Sequence, residues 1–184
     1  ATGLPFADFG DNGSVDLRQG LERDPEALMF TIAPYTPGRV FEFGGMTVAR
    51  DDILRFAAEF DPQPFHLNEE AAAQSLFKKL SASGWHTCAM VMRMTCDGYL
   101  LDSTSLGSPG VEKLKWTRPV CAGDTLRVRL TVLEARPMMS KPHIGLVRSE
   151  WEALNQHGEI VLTVIGVGMF RKRHGEPQAR RADT

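Results

Sequence analysis

Gly84-Trp85-His86-Thr87-Cys88-Ala89-Met90-Val91-Met92-Arg93-Met94-Thr95-Cys96-Asp97 carries small and flexible apolar residues on nearly every side. A helix on a fold's outer surface keeps a polar stripe, so one that is apolar all round is expected to be enclosed by protein. Ser83 stands where an N-cap is wanted. Gly84 and Trp85 then open the first turn, whose N–H groups have no intrahelical acceptor and carry the positive end of the macrodipole. Such N–H groups can receive an oxyanion, and a glycine there lets either a ligand or a neighbouring sheet come close. What encloses the helix follows it in the chain. Segments 110–116, 125–133, 144–154 and 160–170 are strand-like and bounded by Pro, Gly or Asn, and Leu126, Val128, Leu130 and Val132 alternate with Arg127, Arg129 and Thr131. Asn155-Gln156-His157-Gly158 reads as a hairpin connection. One enclosed helix followed by four antiparallel strands predicts an α+β fold with a sheet wrapped around a central helix.

Upstream, 40–43 and 46–48 read as two short strands around a turn at Gly44-Gly45. Ile53, Phe56, Ala57 and Phe60 recur at helical spacing, Asp51 and Asp52 suit the first turn, and Pro62 ends that helix. Asn68 is placed to cap a second short helix, with Glu69 and Glu70 in its first turn and 71–76 as its body. Between these helices lies Phe60-Asp61-Pro62-Gln63-Pro64-Phe65-His66. The two prolines fix their own φ and make Asp61 and Gln63 extended, so a stiff loop is expected. A carboxylate and an imidazole on such a loop can share one water and move protons to and from it. The same residues also suit a rigid surface loop with a capping Asp and a solvated His.

With 184 residues the chain fits one domain, and 24% charged and 42% hydrophobic residues are ordinary for a globular protein. Net charge of -2 gives no electrostatic reason to expect nucleic acid. No apolar run approaches a membrane span and the N-terminus lacks a basic-then-apolar pattern, so no membrane partner and a cytoplasmic location are expected. Cys88, Cys96 and Cys121 are an odd number without CxxC and are read as reduced. The five histidines show neither HxxxH nor HExxH spacing, so no metal is expected, and a phosphate-cradling glycine pattern is absent. Residues 1–38 are read as a Gly- and Pro-rich N-terminal extension with a short helical turn at 25–30, 39–171 as the domain, and 172–184 as a basic, disordered tail.

The run Phe56-Ala57-Ala58-Glu59-Phe60-Asp61-Pro62-Gln63-Pro64-Phe65-His66-Leu67-Asn68, with Ala73, Phe77 and Ser83-Gly84 after it, resembles the hydratase motif of the MaoC-like dehydratases. These are the (R)-specific enoyl-CoA hydratase relatives within the hotdog-fold superfamily. Arg118-Pro119-Val120 and Gly123-Asp124-Thr125-Leu126 are also similar to that family, so the resemblance spans roughly residues 40–171. It implies a single hotdog fold and reversible addition of water to a trans-2-enoyl thioester, with enoyl-CoA the expected substrate and no cofactor. It further implies that Asp61 deprotonates the attacking water, that His66 passes a proton to C2, and that the Gly84 N–H stabilises charge on the thioester oxygen. Ser83 is implied to lie beside the substrate. Lys78 and Lys79 stand where the family often has glycine, and either meet the phosphates of CoA or are solvated. Pro62-Gln63 and Asn68 also depart from the common pattern. A chain with one helix-plus-sheet unit is expected to dimerise or form a higher homo-oligomer. The rivals are a hotdog acyl-CoA thioesterase, weakened because the first turns after Gly84 offer no acid before Asp97, and a non-catalytic acyl-thioester-binding domain.

Overall fold

The computed structural model describes residues 35–172; the helical turn expected at 25–30 and the basic tail lie outside the described residues. Five strands, β1 (Val40–Thr47), β2 (Ser105–Trp116), β3 (Thr125–Met138), β4 (Lys141–Leu154) and β5 (Ile160–Arg171), pair antiparallel in the order β1-β3-β4-β5-β2. The helices are α1 (Arg50–Phe60), the single turn α2 (Pro64–Leu67), α3 (Glu69–Gln74) and α4 (Gly84–Thr95), which runs on through a π-helical turn at Cys96–Leu100. This is the α+β hotdog architecture: a five-strand antiparallel sheet around a central helix.

The alternation along β3 puts Leu126, Val128, Leu130 and Val132 in the core while Arg129 reaches Glu152 on β4 at 2.8 Å. From α4, Met90, Val91 and Met94 meet that sheet face, and Ile53 and Ala72 close the core from α1 and α3. Tyr35 joins it at the other end, packed on Tyr99 and Phe170.

Several elements differ from the sequence reading. Segments 40–43 and 46–48 form one strand, not two: the pairing of β1 with β3 slips between Gly44 and Met46, a β-bulge that bends the strand without ending it. Gly44 has φ 103°, and a Cβ there would lie 2.6 Å from Met94 Sδ, so the bulge lets β1 close onto α4. β2 begins at Ser105, before the expected 110, because its glycines Gly107 and Gly110 permit register shifts against β5 and leave the ladder intact. The supposed stiff loop is partly helical: Pro64 is the first residue of α2, where its missing N–H costs nothing. α4 is incompletely enclosed, since Trp85 and Met92 are 61% and 56% exposed on one face.

Candidate active site

Asp61 ends α1 as its C-cap, with its N–H bonded to the Ala57 carbonyl. The Gln63 N–H then bonds the Asp61 carbonyl, and α2 starts at once, carrying His66 inward until it is 5% exposed. The result is a fixed pair: His66 Nε2 lies 3.6 Å from Asp61 Oδ2. The other ring nitrogen, Nδ1, is 2.8 Å from the Ser81 carbonyl, which can only accept, so Nδ1 carries the proton and Nε2 presents a lone pair.

Asp61 is held from two further sides. Ser83 Oγ donates to Oδ2 and Gln63 Nε2 donates to Oδ1, both at 2.7 Å. The Ser83 hydroxyl and then Gln63 hold the carboxyl below the usual carboxylate range, against an opposing effect of burial that outranks the slight lowering by His66. Ser83 is also the N-cap of α4, accepting the Trp85 N–H at 3.2 Å. One hydroxyl thus ties the carboxylate to the start of the central helix.

Asp61, His66, Ser83 and Gly84 line one cavity of about 390 Å³, together with Gln63, Ser81, Trp85, Trp116 and Arg118. Trp116 packs its ring over Gly84, where a Cβ would lie 2.5 Å from Cε2, and its Nε1 donates to the Gly84 carbonyl at 2.9 Å. Of the two uses a glycine could have at this position, the approach of a sheet is therefore realised. The orientation of α4 still leaves the Gly84 N–H without an intrahelical acceptor at the cavity wall.

Lys78 and Lys79 are not brought to this cavity. Lys78 adopts φ 61°, the left-handed region that favours glycine, and Lys79 is drawn toward Cys121. The permanent cation on the wall is Arg118, which pairs with Glu159 at 3.3 Å. Sequence reasoning had Arg118 only as part of a resemblance and Gln63 only as a departure from the common pattern; the hydrogen bond from Gln63 to Asp61 was not read from it. Trp116 carried no signal, since its partner is 32 residues away.

A second cavity of about 520 Å³ runs along the open face of α4, past Cys88, Met92, Thr95 and Tyr99, and is closed opposite by β2, β4 and β5. Trp85 borders both cavities, its ring edge-on to Trp116 at 5.4 Å. Asp97, the first acid after Gly84, lies in the π-helical turn beyond α4 and is paired with Arg93 at 2.8 Å. Among the described residues no three His, Cys, Asp or Glu side chains are grouped to hold a metal, and no helix is long and apolar enough to cross a membrane.

Residues 33–150 match the model of the MaoC like domain. An uncharacterised Bacillus subtilis protein, YdeM, is 32% identical over 122 residues, covering 66% of this chain and 85% of that protein. Among solved structures, a MaoC-like dehydratase from Rhodospirillum rubrum is 38% identical with a TM-score of 0.73, covering 78% of this chain and 98% of that one. An unliganded (R)-hydratase from Pseudomonas aeruginosa is 29% identical with a TM-score of 0.61, covering 76% and 86%. With its sheet-wrapped helix and a family match over more than half its length, the chain belongs to the MaoC-like dehydratase family, which supports a hydratase or dehydratase activity.

Proposed function

We propose that the protein is a hydro-lyase that reversibly adds water across the 2,3 double bond of a trans-2-enoyl thioester, giving a 3-hydroxyacyl thioester. The carrying observation is the pairing of Asp61 with His66, whose Nδ1 is committed to the Ser81 carbonyl, in the cavity where α4 begins. A water between Asp61 Oδ2 and His66 Nε2 donates one hydrogen to each and aims a lone pair outward at C3. Because Asp61 is held in its ionised form, it orients the water, and Nε2 is the group that takes the proton. That proton is then delivered to C2, so oxygen ends on C3 and hydrogen on C2. Between these events the charge on the thioester oxygen is met by the Gly84 N–H at the positive end of α4. The steps call on no cofactor.

Coenzyme A is the proposed carrier, its anionic part directed toward Arg118, and the acyl chain passes Trp85 into the apolar cavity along α4. The edge strand β2 exposes Leu106, Val111 and Trp116, which supports pairing with a second copy of the chain. The direct test is a panel of trans-2-enoyl-CoA thioesters, followed by loss of the conjugated thioester absorbance. Hydration at some chain length supports the reading. Inertness at every length, with carrier-protein thioesters also unchanged, would move the assignment to a binding domain.

A further inference from the structure

The cavity along α4 holds about 520 Å³, more than the catalytic one, and among the described residues lining it none is charged. Several of its hydroxyls already have partners within the protein. Thr95 Oγ1 donates to the Val91 carbonyl at 2.8 Å, Ser108 Oγ donates to the Gly110 carbonyl at 3.0 Å, and the Tyr99 hydroxyl is engaged by Trp151. The space therefore suits hydrocarbon.

Its floor is shaped by β5. Leu162, Val164, Gly166, Gly168 and Phe170 alternate toward the cavity, so two side chains near the catalytic end give way to two glycines and then to a ring. Neither glycine has the positive φ that would require it, and a glycine inside a strand weakens that strand. The two differ in what lies over them. The Phe170 ring covers Gly168, where a Cβ would come 2.8 Å from Cε2, and Tyr35 backs that ring at 4.9 Å. At Gly166 a Cβ would meet nothing nearer than the Gly110 carbonyl at 3.3 Å. Gly166 thus holds the floor open, and Phe170 closes its end.

Two rulers give the depth. Trp116, which covers Gly84, pairs with Leu162 on β5, and Gly168 lies roughly 20 Å further along at the rise of a strand. From Gly84 to Tyr99, which packs on Tyr35, α4 and the turn after it rise roughly 22 Å. With about 4 Å left for contact with the ring and roughly 1.2 Å per bond of extended chain, the shorter length holds about thirteen bonds beyond the thioester carbonyl.

We infer that the protein takes long, straight-chain trans-2-enoyl thioesters of about 12 to 16 carbons, with Gly166 keeping the acyl channel open and Phe170, Tyr35 and Tyr99 setting its length. This deepens, and rests on, the enoyl thioester reading above. A four-carbon acyl group would leave most of the apolar wall facing water, whereas each further methylene removes apolar area from it.

The test is a series of trans-2-enoyl-CoA thioesters of four, eight, fourteen and eighteen carbons. In the wild-type protein kcat/KM is expected to rise at least about a hundredfold from four to fourteen carbons and to fall again at eighteen. Gly166→Val is expected to lower the fourteen-to-four ratio at least about tenfold, and Phe170→Leu to move the optimum toward eighteen carbons. Binding of the saturated, unreactive butanoyl-CoA and tetradecanoyl-CoA, read by tryptophan fluorescence, is expected to favour the longer chain whether or not turnover occurs, and to lose that preference in Gly166→Val. An optimum at four to eight carbons, or a ratio unchanged in Gly166→Val, would overturn the inference and leave the hydratase reading standing. If Gly166→Val does not fold, Phe170→Leu decides, and an optimum that stays where it was overturns the inference. Hydration of none of the thioesters, with the binding preference intact, would sink the hydratase reading and leave the channel.

Discussion

His66 Nε2 stands 3.6 Å from Asp61 Oδ2 while Nδ1 of the same ring is held 2.8 Å from the Ser81 carbonyl. The backbone acceptor settles the tautomer, so the nitrogen facing the carboxylate is the one able to take a proton. In the proposed reaction Asp61 would then orient the water and His66 would take its proton.

Asp61→Asn and His66→Gln should each lower kcat by roughly 10²- to 10⁴-fold, the usual worth of a positioned acid or base. The double variant should be little worse than the poorer single one, because both act on one water. Steady-state kinetics with a hydrated enoyl-CoA reads this, and a multiplicative double variant would show that the two act independently.

Ser83 holds Asp61 down in pKa as well as capping α4. The folded value lies below that of the unfolded chain, about 3.9 for an aspartate. The stability this contributes is complete above that unfolded value and is lost as pH falls through the folded one. Ser83→Ala should therefore raise the Asp61 midpoint, followed by carboxyl 13C shifts. Its melting deficit against wild type should be largest at neutral pH and shrink in acid to the residual cap loss of about 1 kcal/mol.

Which parts of this were readable in the sequence follows from the range of the interactions. The proline-spaced Asp61 and His66, the Asn68 cap and the Ser83 cap are local, and all stand where the sequence puts them. Gly44 looked like a turn because the sulfur of Met94 that requires the bulge is far along the chain. The all-round apolar pattern of α4 does not distinguish a helix enclosed by protein from one bordering an apolar cavity, which is why its open face went unread. Lys78 and Lys79 advertise charge, but the backbone turns through the left-handed region at Lys78 and sets Lys79 beside Cys121, away from the site cavity.

Gly84→Ala leaves the backbone N–H in place and adds a methyl into the Trp116 ring. It should cost about 1–3 kcal/mol through overpacking, measured by denaturant unfolding. Activity should fall with it and recover in part when Trp116→Leu is added to make room. Loss of activity without loss of stability would point to the oxyanion position alone.

His86 is buried, stacked on Phe56 at 4.7 Å with no hydrogen-bond partner for its Nδ1 among the described residues, and burial lowers its pKa against a smaller raising effect of Asp52. The unfolded chain then binds the proton more readily than the folded one, so stability should fall as pH drops from the ordinary histidine value of about 6.5 toward the folded value. Melting temperatures between pH 7 and pH 5 should decline less steeply in His86→Phe. Equal slopes would mean that another group carries the acid sensitivity.

Lys78 occupies φ 61° with a side chain that finds no place in the site cavity. A left-handed backbone costs a non-glycine residue roughly 1–2 kcal/mol, and glycine's greater freedom in the unfolded chain returns part of that. Lys78→Gly should therefore stabilise the fold by about 0.5–1 kcal/mol, read as a rise of roughly 1–4 °C in Tm. KM for an enoyl-CoA should stay as it was, whereas Arg118→Ala, on the cavity wall, should raise it several-fold. If Lys78→Gly raises KM and Arg118→Ala does not, the anionic carrier runs past the lysine and its direction out of the cavity has to be redrawn.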